Sequence, residues 1–295
     1  MKKQQPEGGW TTVIKPRNSL FAVNFKEIWD YRDLWFLFVK RNIITQYKQT
    51  ILGPVWFVIQ PVMTVIMYMV VFGGIAGIPT DGVPEALFYL AGVCMWQYFA
   101  DCLGKTANTF VDNAGIFGKV YFPRLIIPLA NVTSNLVRFG IQLALYVVVY
   151  IYFVLAHGDH VTCAPNLYAL LFPALVLLLA GLALGFGIIT SSMTTKYRDL
   201  QVLFSFIVSL WMYATPIVYP LSQVAGRSLY GVSLKTLMCL NPVTPIIETF
   251  KYGTLGAGEF VGWGWLGYSL GFAVVVLLVG VLIFNRVQKS FMDTV

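Results

Sequence analysis

The chain has 295 residues, of which 58% are hydrophobic and 16% aromatic, and its mean hydropathy is +0.72. Only 11% are charged, against about a quarter in a soluble domain, which excludes a soluble fold and describes an integral membrane protein. The net charge of +7, read by position, speaks for orientation in a membrane rather than for nucleic-acid binding.

Residues 1–19 are polar and contain Pro and Gly, so they read as a cytoplasmic tail without the apolar core of a cleavable signal. Residues 20–53 are expected to form an amphipathic interface helix. Leu34, Leu37, Phe38 and Ile44 lie near Lys40, Arg41 and Lys48, a composition suited to an anionic membrane surface. Gly53-Pro54 ends that helix, and Pro54 is placed to start the next.

From residue 54 to 295 the expected fold is all-α. Hydrophobic length predicts six transmembrane helices, at 54–77, 86–103, 125–155, 167–190, 200–219 and 265–284. The third, at 31 residues, implies tilt or a projecting end. Between the fifth and sixth, Ser233–Leu240 and Pro245–Tyr252 are half-apolar and broken by Asn241-Pro242, too short to cross and suited to re-entrant half-helices.

Lys and Arg placement sets the topology. Nine lie in the tail and interface helix, three in 104–124, two in 191–199 and two in the C-terminal tail, all on one side. The other side carries Arg227, Lys235 and Lys251, and Arg138 falls inside the third span. Both termini are therefore expected to be cytoplasmic.

Three polar or aromatic patterns stand out in the spans. Asn131, Asn135, Arg138 and Gln142 share one helical face of the third span, either as a lumen facing a polar substrate or as an inter-helix hydrogen-bonding seam. Gln60, Thr64 and Tyr68 form a second stripe on the first span. The fifth carries Phe204, Phe206, Trp211, Tyr213 and Tyr219, whose rings could stack on sugars or simply pack between helices.

In the 104–124 segment, Phe117, Lys119, Tyr121, Phe122 and Arg124 suit either a coupling helix seated on an ATPase or an interfacial loop. Arg198 and Asp199 lie in the other cytoplasmic turn. Glu248, three residues before Lys251, is expected to pair with it and order an outer gate.

Other matches carry little. Gly104-Lys105-Thr106 resembles the end of a P-loop, but position 99 is Phe where the first glycine belongs, so no nucleotide site is expected. His157, Asp159, His160 and Cys163 lack a metal-ligand spacing, and no metal is expected. The sequon at Asn131 lies within a span, and the four cysteines form no CxxC pair. Gly181 and Gly185 are spaced for close helix approach.

The run KRNIITQYKQTILGPVWFVIQP resembles the opening signature of polysaccharide-exporting ABC transporter permeases. KVYFPRLIIPLA at 119–130, KYRDLQVLFSFIVSLWMYATPIVYP at 196–220 and NPVTPIIETFKYG at 241–253 resemble the same family in the same order. The resemblance implies a permease in the bacterial inner membrane that works as a homodimer with two copies of a separate ABC ATPase. ATP and Mg would lie on that partner, with no cofactor in this chain. It also implies a lipid-linked glycan as substrate, a channel lined by aromatics of the first and fifth spans, and contact of 104–124 and 196–200 with the ATPase. Two rivals remain from the residues: an exporter of a small hydrophobic molecule, and a membrane enzyme such as a polyprenyl-phosphate sugar transferase. The latter would need clustered acids, and the thirteen here are scattered apart from Asp30 and Asp33.

Overall fold

The computed structural model describes residues 25–290, apart from 49, 118, 158–162, 196, 198, 230 and 257. The tail at 1–19, the Arg198 contact and the Asp159-His160 stretch therefore lie outside the described residues. The described chain is nearly all helical. It opens with α1 (Phe25–Asp30) and α2 (Arg32–Tyr47), then a 3-10 turn at Gly53–Val55 leading into α3 (Trp56–Tyr68). Pro54 stands in that first turn, where a missing N–H costs nothing. The α3 backbone widens into a π-helix at Met69–Ile75, so the first span is a single rod of 23 residues with a changed pitch in its last third.

There follow α4 (Glu85–Ala107), the short α5 (Thr109–Asp112) and α6 (Ala114–Phe117), and the long α7 (Ile126–His157). A 3-10 turn at Leu167–Leu171 introduces α8 (Phe172–Thr194), followed by α9 (Asp199–Tyr213) and α10 (Ser222–Ala225). A two-residue hairpin, β1 (Ser228–Leu229) and β2 (Val232–Ser233), pairs Ser228 with Ser233 and departs from the all-α expectation. The chain continues through α11 (Leu234–Cys239), α12 (Thr244–Leu255) and α13 (Trp263–Ser290).

Among the described residues, five helices are long and apolar enough to cross a membrane: Gly53–Ile75, Glu85–Ala107, Ile126–Ala156, Leu167–Thr194 and Trp263–Val287. The span expected at 200–219 is shorter. Helix α9 has 15 residues, about 22 Å of rise against the roughly 30 Å of a hydrocarbon core. Pro216 and Pro220 cannot continue a helix, and Thr215 to Val218 instead turn back into the protein and are buried.

The α4 helix is the axis. Sixteen of its 23 residues are buried, against Pro61 and Val65 in α3 and none in α9. It packs chiefly on α8 and α7, while α8 in turn packs on α13. The α8–α13 approach depends on glycine: a Cβ on Gly185 would sit 2.9 Å from Val276 Cγ1 and 3.0 Å from the Leu277 nitrogen. At the end of α12, Gly256 takes φ +68° and caps the helix against Tyr252, where a Cβ would meet the Ala164 carbonyl at 2.5 Å.

A second core forms at the end of the bundle that carries α2. Phe38 of α2 meets Phe122, which stacks on Phe117, and Phe110 joins Phe117 to Phe284 of α13. Helix α2 packs across the start of α7, and its apolar residues point both ways. Phe38 is buried, whereas Phe36, Leu37 and Ile44 are exposed on the same side as Lys40.

Candidate functional site

The polar stripe of α7 faces a matching stripe on α4 that the sequence reading missed. Gln142 Nε2 donates to Gln97 Oε1 at 2.6 Å, and Lys105 Nζ donates to Asn135 Oδ1 at 2.9 Å. Asn131 Nδ2 donates to the Lys105 carbonyl at 3.1 Å. Arg138 is held at 2.9 Å from Asp101 Oδ2 and donates to Gln60 Oε1 of α3 at 2.7 Å, with the Phe57 ring 5.1 Å from its guanidinium carbon. Asn131, Asn135 and Gln142 are buried within the chain, each bonded across the α4–α7 seam. Buried amides require such partners in a setting without water.

The seam continues to α2. Asn42 Nδ2 donates to Asn131 Oδ1 at 2.9 Å, and Arg41 donates to Asn113 Oδ1 at 3.2 Å, just beyond α5. Separate polar contacts thus tie α7 to α2 through Asn131, to α4 through Asn135, Arg138 and Gln142, and to Gln60 of α3 through Arg138. Gln97, Asp101 and Lys105 recur every four residues, a period visible in the sequence. They escaped notice because the second span was ended at residue 103, which moved Lys105 into a loop; α4 in fact continues to Ala107.

The expected aromatic lining separates into two groups. Trp211 packs edge-on against Phe99, Phe186 and Trp96, with ring centroids at 5.2, 5.2 and 6.3 Å, and its Nε1 donates to Asn241 Oδ1. It is partly buried against its own bundle. Tyr213, by contrast, is 55% exposed. Tyr68 bridges the elements: its hydroxyl reaches Met212 Sδ at 3.3 Å, and its ring meets Tyr89 and Phe72 edge-on. Thr64 donates to the Gln60 carbonyl within α3. Phe204 borders a cavity of about 450 Å³ between the α2-end halves of α4, α8 and α9, lined also by Gly104, Asn108, Gln201 and Ser205.

Residues 109–117 carry two single-turn helices, and residues 119–124 are irregular. Phe117 and Phe122 are buried anchors, while Lys119, Val120 and Tyr121 are exposed. Arg124 lies 5.4 Å over the Phe117 ring, and its partial burial lowers the guanidinium below its ordinary value. Asp199 opens α9.

At the opposite end, Lys251 donates to Glu248 Oε1 at 3.2 Å and to the Pro216 carbonyl at 2.5 Å, and lies 4.0 Å over the Phe88 ring. The pair is buried and fastens α12 to the turn after α9 and to α4. Asn241, between α11 and α12, caps the Val243 amide and donates to Thr215. Gly104-Lys105-Thr106 is ordinary α-helix in α4, not a phosphate loop. No group of three or more metal-ligating side chains occurs among the described residues.

An almost wholly helical bundle with five membrane-length helices among the described residues, a shorter sixth apolar one and a polar seam inside it describes a multi-pass membrane protein. Residues 33–255 match the ABC-2 type transporter family, and the chain belongs to that family. It is 27% identical to an O-antigen export system permease protein RfbA of Myxococcus xanthus, over 77% of this chain and 82% of that one. A protein of the same name from Klebsiella pneumoniae is 26% identical, over 88% and 94% of the two chains. The polysialic acid transport protein KpsM of Escherichia coli is 18% identical, over 86% and 93%.

Proposed function

We propose that the chain is the membrane-spanning permease subunit of an ABC exporter that moves a lipid-linked, O-antigen-like polysaccharide across the bacterial inner membrane. The observation that carries this is the match of residues 33–255 to the ABC-2 family, together with relatives named for O-antigen export along most of the chain. ATP, with Mg, is hydrolysed by two copies of a separate ATPase, and the chain itself is not an enzyme. Two copies of the chain form the pathway. Helices α3 and α9, which bury almost nothing within one chain, supply its wall, with α9 completing a sixth membrane passage and α11 and α12 entering the membrane as half-helices. Both termini and the α2 end of the bundle are cytoplasmic, in keeping with the Lys and Arg distribution.

In this reading Tyr68 and Tyr213 offer rings along the wall, with Gln60 and Thr64 beneath them and Phe204 at the side cavity. Trp211, Asn131 and Asn135 support that wall from behind. Lys119 and Tyr121 meet the ATPase, with Phe117, Phe122 and Arg124 seating them; Arg198 and Asp199 contact it at the next turn. Glu248 and Lys251 brace the outer gate. Closure of the ATPases is transmitted by α2 and residues 109–124, which share one aromatic core with the start of α7. Such a change of state requires contacts that differ between the states.

The test is deletion of the gene and complementation with the chain. Surface polysaccharide should vanish on deletion, with lipid-linked polymer accumulating inside, and return on complementation. An ATPase should co-purify with the chain. Unchanged surface polymer in the deletion strain would refute the reading.

A further inference from the structure

The first span has two faults in its backbone, with a regular piece between them. Pro61 stands inside α3 and removes one bond of the helical ladder. Beyond Tyr68 the ladder widens into the π-helix of Met69–Ile75, where the Ala76 amide donates five residues back to the Val71 carbonyl at 2.9 Å. Such a segment holds about one residue more than the α-helix that would make the same turns, and π segments recur at functional sites. The surplus residue lies directly beside Tyr68, whose hydroxyl meets Met212 of α9.

One end of the π segment is pinned and the other is loosely held. The Ile78 amide donates to the Phe72 carbonyl at 2.9 Å, and the Thr80 hydroxyl donates to the Val83 carbonyl at 2.6 Å. Ser222 of α10 then donates to both carboxylate oxygens of Asp81, at 2.8 and 3.0 Å. On the other side, α3 buries only Pro61 and Val65. Gly73 lets the segment lie flat against α4, since a Cβ there would fall 2.2 Å from Glu85 Oε2. A change of twist in the segment therefore turns the α3 rod rather than the loop that follows it.

We propose that Met69–Ile75 is a register switch, π-helical at rest and α-helical when the ATPases close. Conversion takes up the surplus residue and rolls the α3 rod by about 100°, the turn of one residue. Met69 then takes the position around the helix that Tyr68 holds at rest, and Tyr68 leaves Met212. The Gln60 bond to Arg138 breaks in the same movement, because Gln60 rides on the rod. The inference rests on the permease reading, in which α3 and α9 form the wall, and it names how that wall changes. Two backbone registers of one segment give the discrete pair of states that such a transition requires.

The test uses the full chain with its ATPase in nanodiscs, after replacement of the four native cysteines. Met212→Cys is combined with Tyr68→Cys or with Met69→Cys, and each pair is treated with ethanediyl bismethanethiosulfonate, a short thiol cross-linker. Rates are compared without nucleotide and after trapping with ATP and vanadate. The 68–212 pair should cross-link at least fivefold faster without nucleotide, and the 69–212 pair at least fivefold faster when trapped. Deleting Val70 removes the surplus residue and leaves Tyr68 facing α9. The 68–212 pair should then cross-link equally in both states, with ATP hydrolysis kept and export lost. Rates for both pairs that do not respond to nucleotide, or normal export by the deletion variant, overturn the proposal. Where the deletion variant does not assemble, the two cysteine pairs decide alone. Because cross-linking is read without export, unresponsive rates beside normal complementation overturn the switch and leave the permease reading in place. Reciprocal rates support the switch even where complementation fails.

Discussion

Asn241 and Trp211, thirty positions apart, are joined by a 3.0 Å hydrogen bond that ties the end of α9 to the link between α11 and α12. The same amide donates to Thr215 Oγ1 at 2.8 Å and accepts from the Val243 amide at 3.1 Å. One side chain therefore fixes the depth of an indole, the turn after α9 and the start of α12. Replacing it with Leu removes these bonds and leaves the indole N–H without an acceptor. Asn241→Leu should cost about 1–3 kcal/mol for the unsatisfied group. Thermal unfolding in detergent should fall accordingly, with a shift in tryptophan emission that is absent in the Trp211→Phe background.

Lys251 and Glu248 are a second fastening. Lys251→Met leaves a buried carboxylate without its cation and should destabilise by about 3–5 kcal/mol. Adding Glu248→Gln should restore much of that loss, because the pair rather than either charge is tolerated. A double variant as unstable as the sum of the single ones would show that the two side chains do not interact. Unfolding in denaturant measures both.

Phe122 and Tyr121 are neighbours with opposite roles. Phe122 lies between Phe38 and Phe117, so Phe122→Ala should cost about 3–5 kcal/mol through the cavity it leaves. Tyr121 is 53% exposed, and Tyr121→Ala should leave the melting temperature within about 1 °C, since surface changes stay within about ±0.5 kcal/mol. The same variant should weaken co-purification of the ATPase. Retained binding in Tyr121→Ala would move the contact elsewhere.

Thiol labelling separates the two aromatic residues of α9. The four native cysteines are buried and are first replaced by alanine or serine. A cysteine at position 213 should then react with a water-soluble maleimide, and one at 211 should not. Reaction at 211 in the resting state would show that the packing of Trp211 against Phe99 and Phe186 opens to water.

The sequence by itself determined the class of fold, because crossing hydrocarbon demands long apolar helices and their lengths are written directly into composition. It placed α7 to within a residue or two and marked the break at Asn241-Pro242 from the Asn-Pro pair itself. The polar residues of α7 were equally legible as a stripe. What the stripe faces was not, because a one-dimensional period names a face and not its neighbour. Only the tertiary structure decided that Asn131, Asn135 and Gln142 meet α4, that Trp211 turns inward while Tyr213 stays outside, and that Phe117 and Phe122 anchor rather than project. Each outcome depends on which helix lies alongside. That is set by close approaches such as Gly185 against Val276, between residues far apart in the chain.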